Sequence, residues 1–169
     1  AAFGGAAFKM LTDLLIFSRP DDLEGIHLRY LQAGANLIET NTFGASPLRL
    51  KEFDFTQIDV ADIKVIPQAL DLKKSDYFAI THHLNVEGCR IARKAIDRYK
   101  EEPEYDGRPL FVAGSIGPSN YVLSKTEADL NKANWDQIVD NNFLQVRGMI
   151  EGGADVLLFE TQQDILELK

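Results

Sequence analysis

One short phrase occurs twice in this chain. "GANLIETNTFG" occupies residues 34 to 44, and "GGADVLLFETQQD" occupies 152 to 164. Each copy runs glycine, alanine, Asn or Asp, an apolar stretch, then Glu-Thr, and each follows a segment of helical periodicity. That order describes a helix stopped by glycine, a buried strand, and a carboxylate delivered at the strand's C-terminal end. Glu39 and Glu160 are therefore equivalent positions of repeated βα units. In parallel α/β folds, and in barrels above all, the groups that do chemistry stand at this rim.

The rest of the chain fits the same alternation. "SRPDDLEGIHLRYLQAG" predicts a helix with Ser18 as cap, Pro20 in the first turn and Gly34 just past the end. Leu23, Ile26, Tyr30 and Leu31 form its apolar stripe. A second helix is predicted over roughly 82 to 100, broken by "EEPEYDGRP". "LFVAGSIG", 110 to 117, is the clearest strand. A third helix runs from about Trp135 to Glu151, ended by Gly152 and Gly153, with Trp135 expected in the core. Strand and helix alternation of this kind predicts an α/β fold of parallel βαβ units, the strands covered on both faces. We expect a single domain over 1–169, with an irregular start at 1–12 and an insertion or long connection at 54–80. Within that connection, Val65 and Ile66 offer at most a short strand limited by Pro67. The 169 residues supply a core but fall short of the roughly 250 of a complete (β/α)8 barrel.

Composition narrows the partners. Net charge is −8, from 26 acidic and 18 basic residues, and no basic cluster stands out, which argues against nucleic acid. No apolar run approaches the roughly 20 residues of a membrane helix. The opening "AAFGGAAFKM" lacks the charged start of a signal peptide. Cys89 is the only cysteine, so no intrachain disulfide forms and a reducing, cytoplasmic setting fits.

Among candidate site residues, Glu160 leads. Four apolar residues precede it, so its carboxylate emerges from the core near a rim, where a purely structural Glu would need a buried partner. "GSIGPSN", 114 to 120, ends the strand between the two copies, and Gly117 lets backbone approach a ligand closely. No Lys follows in P-loop spacing, which weakens a phosphate reading. Cys89 lies within a predicted helix and reads as a small buried side chain. His82 and His83 with Glu87 lack a third metal ligand and read as a solvated helix start. His27 reads as a packing or helix-end residue. The acidic pairs at 21–22 and 101–102 read as solvated faces.

Three stretches together resemble the homocysteine S-methyltransferase family: residues 13 to 46, "FVAGSIGPSN" at 111 to 120, and "GGADVLLFETQQDILELK" at 152 to 169. "HHLNVEGCRIARKA" is similar to the helix that links the first two. The likeness is greatest to the N-terminal, homocysteine-binding domain of cobalamin-dependent methionine synthases. It implies part of a TIM (β/α)8 barrel, its N-terminal half, and methyl transfer to homocysteine giving methionine. By this resemblance Glu160 holds the substrate ammonium, Asn41, Thr42 and Phe43 line the pocket, and the loop at Gly117 forms another wall. The family's cofactors are zinc and methylcobalamin. Its zinc, held by three cysteines from the second barrel half, binds the substrate thiol as thiolate. Those cysteines are absent from this sequence, as is the Asp of the family's opening strand, and these residues alone are expected to be inactive. Cobalamin and folate domains of a larger enzyme are the implied partners.

Two other readings stay open. One is a non-catalytic α/β binding or assembly module whose uncovered strand edges invite self-association. The other is a parallel α/β enzyme acting on a phosphorylated metabolite at the loop after Gly117.

Overall fold

A computed structural model of the chain describes residues 4–67, 70–74, 76–124 and 131–169. Three parallel strands, β1 (Leu37–Glu39), β2 (Phe111–Ile116) and β5 (Val156–Phe159), form a sheet in the order β1-β2-β5. Leu37 pairs with Phe111 and Glu39 with Ala113, while Ala113 pairs with Val156 and Ile116 with Phe159. A second, two-residue parallel pair joins β3 (Tyr121–Val122) to β4 (Asn131–Lys132). Helices α2 (Pro20–Gln32), α4 (Tyr77–Lys100) and α5 (Trp135–Gly152) cover one face of the main sheet. Two single-turn helices, α1 (Leu15–Ser18) and α3 (Pro47–Leu50), complete the set. The architecture is α/β, a partial (β/α)8 barrel.

The repeated phrase has the same structure in both copies. After α2, the amide of Gly34 donates to Leu31 O and that of Ala35 to Tyr30 O; after α5, Gly153 donates to Ile150 O and Ala154 to Met149 O. Both glycines hold positive φ, 104° and 90°, as this helix closure requires. The Asn or Asp that follows ties the strand to β2. Asn36 Nδ2 donates to Pro109 O at 2.9 Å, and Asp155 Oδ2 accepts from the Val112 amide at 2.8 Å. Arg93 of α4 also donates to Asp155 at 2.6 Å. The phrase is thus a helix stop followed by a strand anchor, written wherever the chain re-enters the sheet.

Alternation along the strands sorts the two faces. Ile38, Val112 and Ile116 are buried under the helices. Glu39, Ala113, Ser115 and Glu160 share the opposite face by register. That face is the barrel interior, and Leu37, Phe111 and Val156 stand open on it at 47%, 43% and 43% exposure.

The helices pack closely through glycine. A methyl on Gly148 of α5 would lie 2.8 Å from Asn85 Cβ and 2.9 Å from His82 O, and one on Gly152 would lie 2.5 Å from Val86 O. Local capping sets their starts. Asp76 accepts from the Ala79 amide at 3.1 Å, so α4 begins at Tyr77, five residues before the predicted start. Asn134 and Gln137 form a reciprocal capping box on α5.

Several expectations change. Ser18 does not cap α2: it closes α1, its hydroxyl donating to Leu14 O at 3.1 Å, and Pro20 with Asp21 and Asp22 starts α2 without a side-chain cap. Ile26 and Tyr30 are not core; they are 39% and 63% exposed, flanking the open edge of β1, while Leu28 and His27 are buried instead. Trp135 is 49% exposed, because it stands at the start of α5 on an open cavity shared with Phe159 and Leu168 and not beneath a packed neighbour. Val65 and Ile66 form no strand; the amides of Lys64 and Val65 both donate to Phe17 O.

The connection at 54–80, apart from residues 68, 69 and 75, which lie outside the described set, consists largely of single 3-10 turns leading into α4. Phe55, Ile58, Leu70 and Leu72 are buried in it. They pack with Phe8 from the irregular start, with Leu14 and with Phe17 of α1, and with Ile80 of α4. This apolar cluster fastens the N-terminal segment to the barrel wall.

Candidate functional site

Three neighbouring strands end in polar groups on the interior face. Ser115, on β2, is fully buried, and its hydroxyl donates to Glu160 Oε1 at 2.5 Å. Glu39, at the end of β1, meets both Ser115 and Glu160. Hydrogen bonding to Glu160 holds the Glu39 carboxyl above its ordinary range, and burial adds to this. Glu160 is held below its range by that same contact and then by the Ser115 hydroxyl. Two carboxyls this close take up one proton more readily than two isolated ones. A ligand ammonium placed there would replace that proton with a lasting charge.

The backbone around Glu160 is unusual. Its amide donates to Ile116 O at 3.1 Å, extending the ladder by one residue. Thr161 then takes φ 55°, the only positive φ outside glycine among the described residues. A β-branched residue in the left-handed region costs on the order of 1–3 kcal/mol, and such strain gathers at functional sites. Gln162 Nε2 bridges back to Ile116 O and Glu160 O at 3.1 and 3.2 Å.

The Thr-Asn-Thr-Phe-Gly loop packs against the end of β2. Thr42 is fully buried. Its hydroxyl donates to Ser115 O at 2.9 Å, and its methyl faces Gly88 of α4. Asn41 Nδ2 donates to Thr12 O at 2.8 Å. Phe43 is 44% exposed, and its ring covers Gly117, where any β-carbon would lie 2.7 Å from the ring. The Gly117 amide donates to Phe43 O at 3.0 Å. That amide is thus committed to the loop, which disfavours a phosphate at this turn. The structure therefore joins Glu160, Ser115 and Glu39 in one cluster and Phe43 with Gly117 in an adjoining one. Thr42 lies beneath the loop, and Asn41 turns toward the N-terminal segment.

Three further residues shape the rim without an obvious mark in the sequence. Asp13, only 4% exposed, accepts the Gly44 amide at 2.9 Å, and its burial pushes the carboxyl up to about 6. Asp164 accepts from the Leu123, Ser124 and Leu166 amides and the Ser124 hydroxyl, which pull it down to about 2. It ties the segment after β5 to the loop after β3. Ser115 is the third. Its only sequence signal was its place one turn of the pleat before Gly117, inside a run otherwise read as strand.

The remaining candidates lie apart from this rim. His82 pairs with Glu151 at 2.9 Å. His27 is buried, which lowers its pKa. Cys89 is fully buried in α4, and desolvation pushes its thiol up to about 12. Among the described residues, no three His, Cys, Asp or Glu side chains gather as a metal site. No helix among them is long and apolar enough to cross a membrane.

Comparison with known proteins bears on the family and the fold. The sequence model of a family described as homocysteine S-methyltransferase matches residues 5–169. Methionine synthase of Mycobacterium leprae (strain TN) is 34% identical over 157 residues, covering 93% of this chain and 10% of that protein. The homocysteine methyltransferase MmuM from Escherichia coli, in its metallated and oxidized crystal forms, gives TM-scores of 0.69 and 0.67 at 23% identity. Those alignments cover 97% of this chain and 50% and 49% of the solved ones. The chain thus spans about half the length of these structures and a tenth of the methionine synthase.

Proposed function

The chain belongs to the homocysteine S-methyltransferase family, and on that premise we propose that its rim is the amino-acid-binding part of an enzyme that methylates homocysteine to methionine. Glu160 receives the substrate ammonium. Phe43 and the turn at Gly117 flank the aliphatic chain, and the loop over Asn41 and Thr42 fixes their position. The observation that carries this reading is the Glu160 carboxylate, held on the interior face by Ser115 with no described cation paired to it. An ammonium is the ligand that such an ionised, half-buried carboxylate accommodates at least cost.

Methylcobalamin is the methyl donor in this proposal, presented by the cobalamin and folate domains of a larger, cytoplasmic enzyme. The size of the methionine synthase relative supports it. Zinc is a separate matter. The single cysteine is sequestered in α4 with a thiol that stays protonated, so these residues do not fit a thiolate-bound zinc. The residues described here bind and orient the amino-acid end of the substrate, and activation of its sulfur is not theirs.

Calorimetric titration with L-homocysteine tests this. Binding is expected, and Glu160→Gln should weaken it about ten- to hundredfold, the worth of a hydrogen bond to a charged group in a partly buried site. Unchanged affinity in the variant, or no binding by the parent chain, would overturn the assignment.

A further inference from the structure

Ser115 meets the site through three different atoms. Its amide donates to Thr40 Oγ1 at 3.0 Å, and its carbonyl accepts from Thr42 Oγ1 at 2.9 Å. The two threonine hydroxyls contact each other at 2.7 Å. Its own hydroxyl points the other way, onto Glu160 at 2.5 Å. Gln145 of α5 completes the buried set, donating to Thr42 O at 2.8 Å. Thr40, Thr42, Ser115 and Gln145 are each 3% exposed or less. Together these contacts join four elements: the loop after β1, strand β2, helix α5 and the end of β5.

We propose that Ser115 is the positioning residue of the site, coupling the Thr40–Thr42 loop to the Glu160 carboxylate. The inference rests on the function proposed above but names a residue and a linkage that this function does not require. Thr40 and Thr42 clamp the Ser115 peptide on both sides, so strand β2 has one depth relative to the loop. The Ser115 hydroxyl converts that depth into one orientation of Glu160. Ser115 holds one oxygen of Glu160, and Glu39 is the other carboxyl that Glu160 meets on the interior face. A displaced loop therefore misaims the carboxylate, even though no loop side chain touches it in this network.

The test compares L-homocysteine with 4-mercaptobutanoate, which lacks the amino group, on the full chain. Ser115→Ala should weaken homocysteine about tenfold, the size of one hydrogen bond to a charged group, and leave the deaminated analogue unchanged. Ser115→Thr, which restores the hydroxyl, should recover most of the loss. Thr42→Val, which keeps the shape and removes the donor to Ser115 O, should reproduce the selective loss in weaker form. Combining Ser115→Ala with Glu160→Gln should add little to Glu160→Gln alone. Equal losses for both ligands, or full additivity in the double variant, would overturn the linkage while leaving the ammonium assignment intact.

A ligand-free readout separates the two ideas further. The side-chain carboxyl of Glu160, followed by carbon-13 NMR against Glu39, its titrating neighbour on β1, should shift to higher pKa in Ser115→Ala. No shift would overturn the positioning role even if the parent chain binds no homocysteine.

Discussion

Asp13 shows how one residue links the rim to pH. Its carboxyl is nearly fully buried and receives the Gly44 amide, with Arg49 nearby. Burial dominates and raises it from 3.8 to about 6. A folded-state pKa above the unfolded one means that the folded chain binds this proton more tightly. The contribution to stability is therefore complete below the unfolded value and is lost as pH rises through about 6. Asp13→Asn keeps an oxygen for Gly44 and removes the charge. Urea denaturation between about pH 4 and pH 7 should show the parent losing on the order of 3 kcal/mol relative to this variant. Parallel curves would refute the burial argument. At this scale the sequence was only partly legible. Glu160 announced itself as a carboxylate at the end of an apolar run. Ser115 and Asp13 did not, because their roles come from partners 45 and 31 residues away in the chain, and no local pattern encodes such distances.

Elements were easier to read than their surroundings. The three strands and three long helices are the elements that periodicity and glycine stops indicate, because each signal is local, although α4 starts five residues earlier than its apolar repeat suggests. The errors fall where a side chain's environment depends on a neighbouring unit. Trp135 and Phe143 follow the helical repeat, yet they are 49% and 61% exposed. The sequence also gives no hint that α4 and α5 meet through glycine. Helix propensity alone favours alanine over glycine by about 1 kcal/mol. Gly25 of α2 has nothing within 4 Å of an added methyl, so Gly25→Ala should stabilise the chain by roughly that amount. Gly148→Ala instead drives a methyl into backbone at 2.9 Å and should destabilise by about 1–3 kcal/mol, the usual cost of overpacking. Thermal melts of the two variants should move in opposite directions; a shared direction would sink the close-packing account of the α4–α5 contact.

At the scale of the whole molecule, the interior face and the free side of α5 leave large apolar groups in solvent, Phe143 at 61% and Ile150 at 64% among them. Net charge of −8 opposes association, and salt screens that repulsion. Sedimentation velocity should therefore show association that grows with both concentration and salt, and Leu37→Lys with Val156→Lys should suppress it. A salt-independent monomer would contradict this. The strands of the main sheet also lie in space in the order in which they occur in the chain. No strand of that sheet is inserted between two earlier ones, and each crossover helix precedes in the chain the strand that it delivers. During synthesis each βα unit therefore leaves the ribosome after the one it docks on, but α2 and β1 are buried only when α4 and β2 close over them, so the earliest unit waits on its successor.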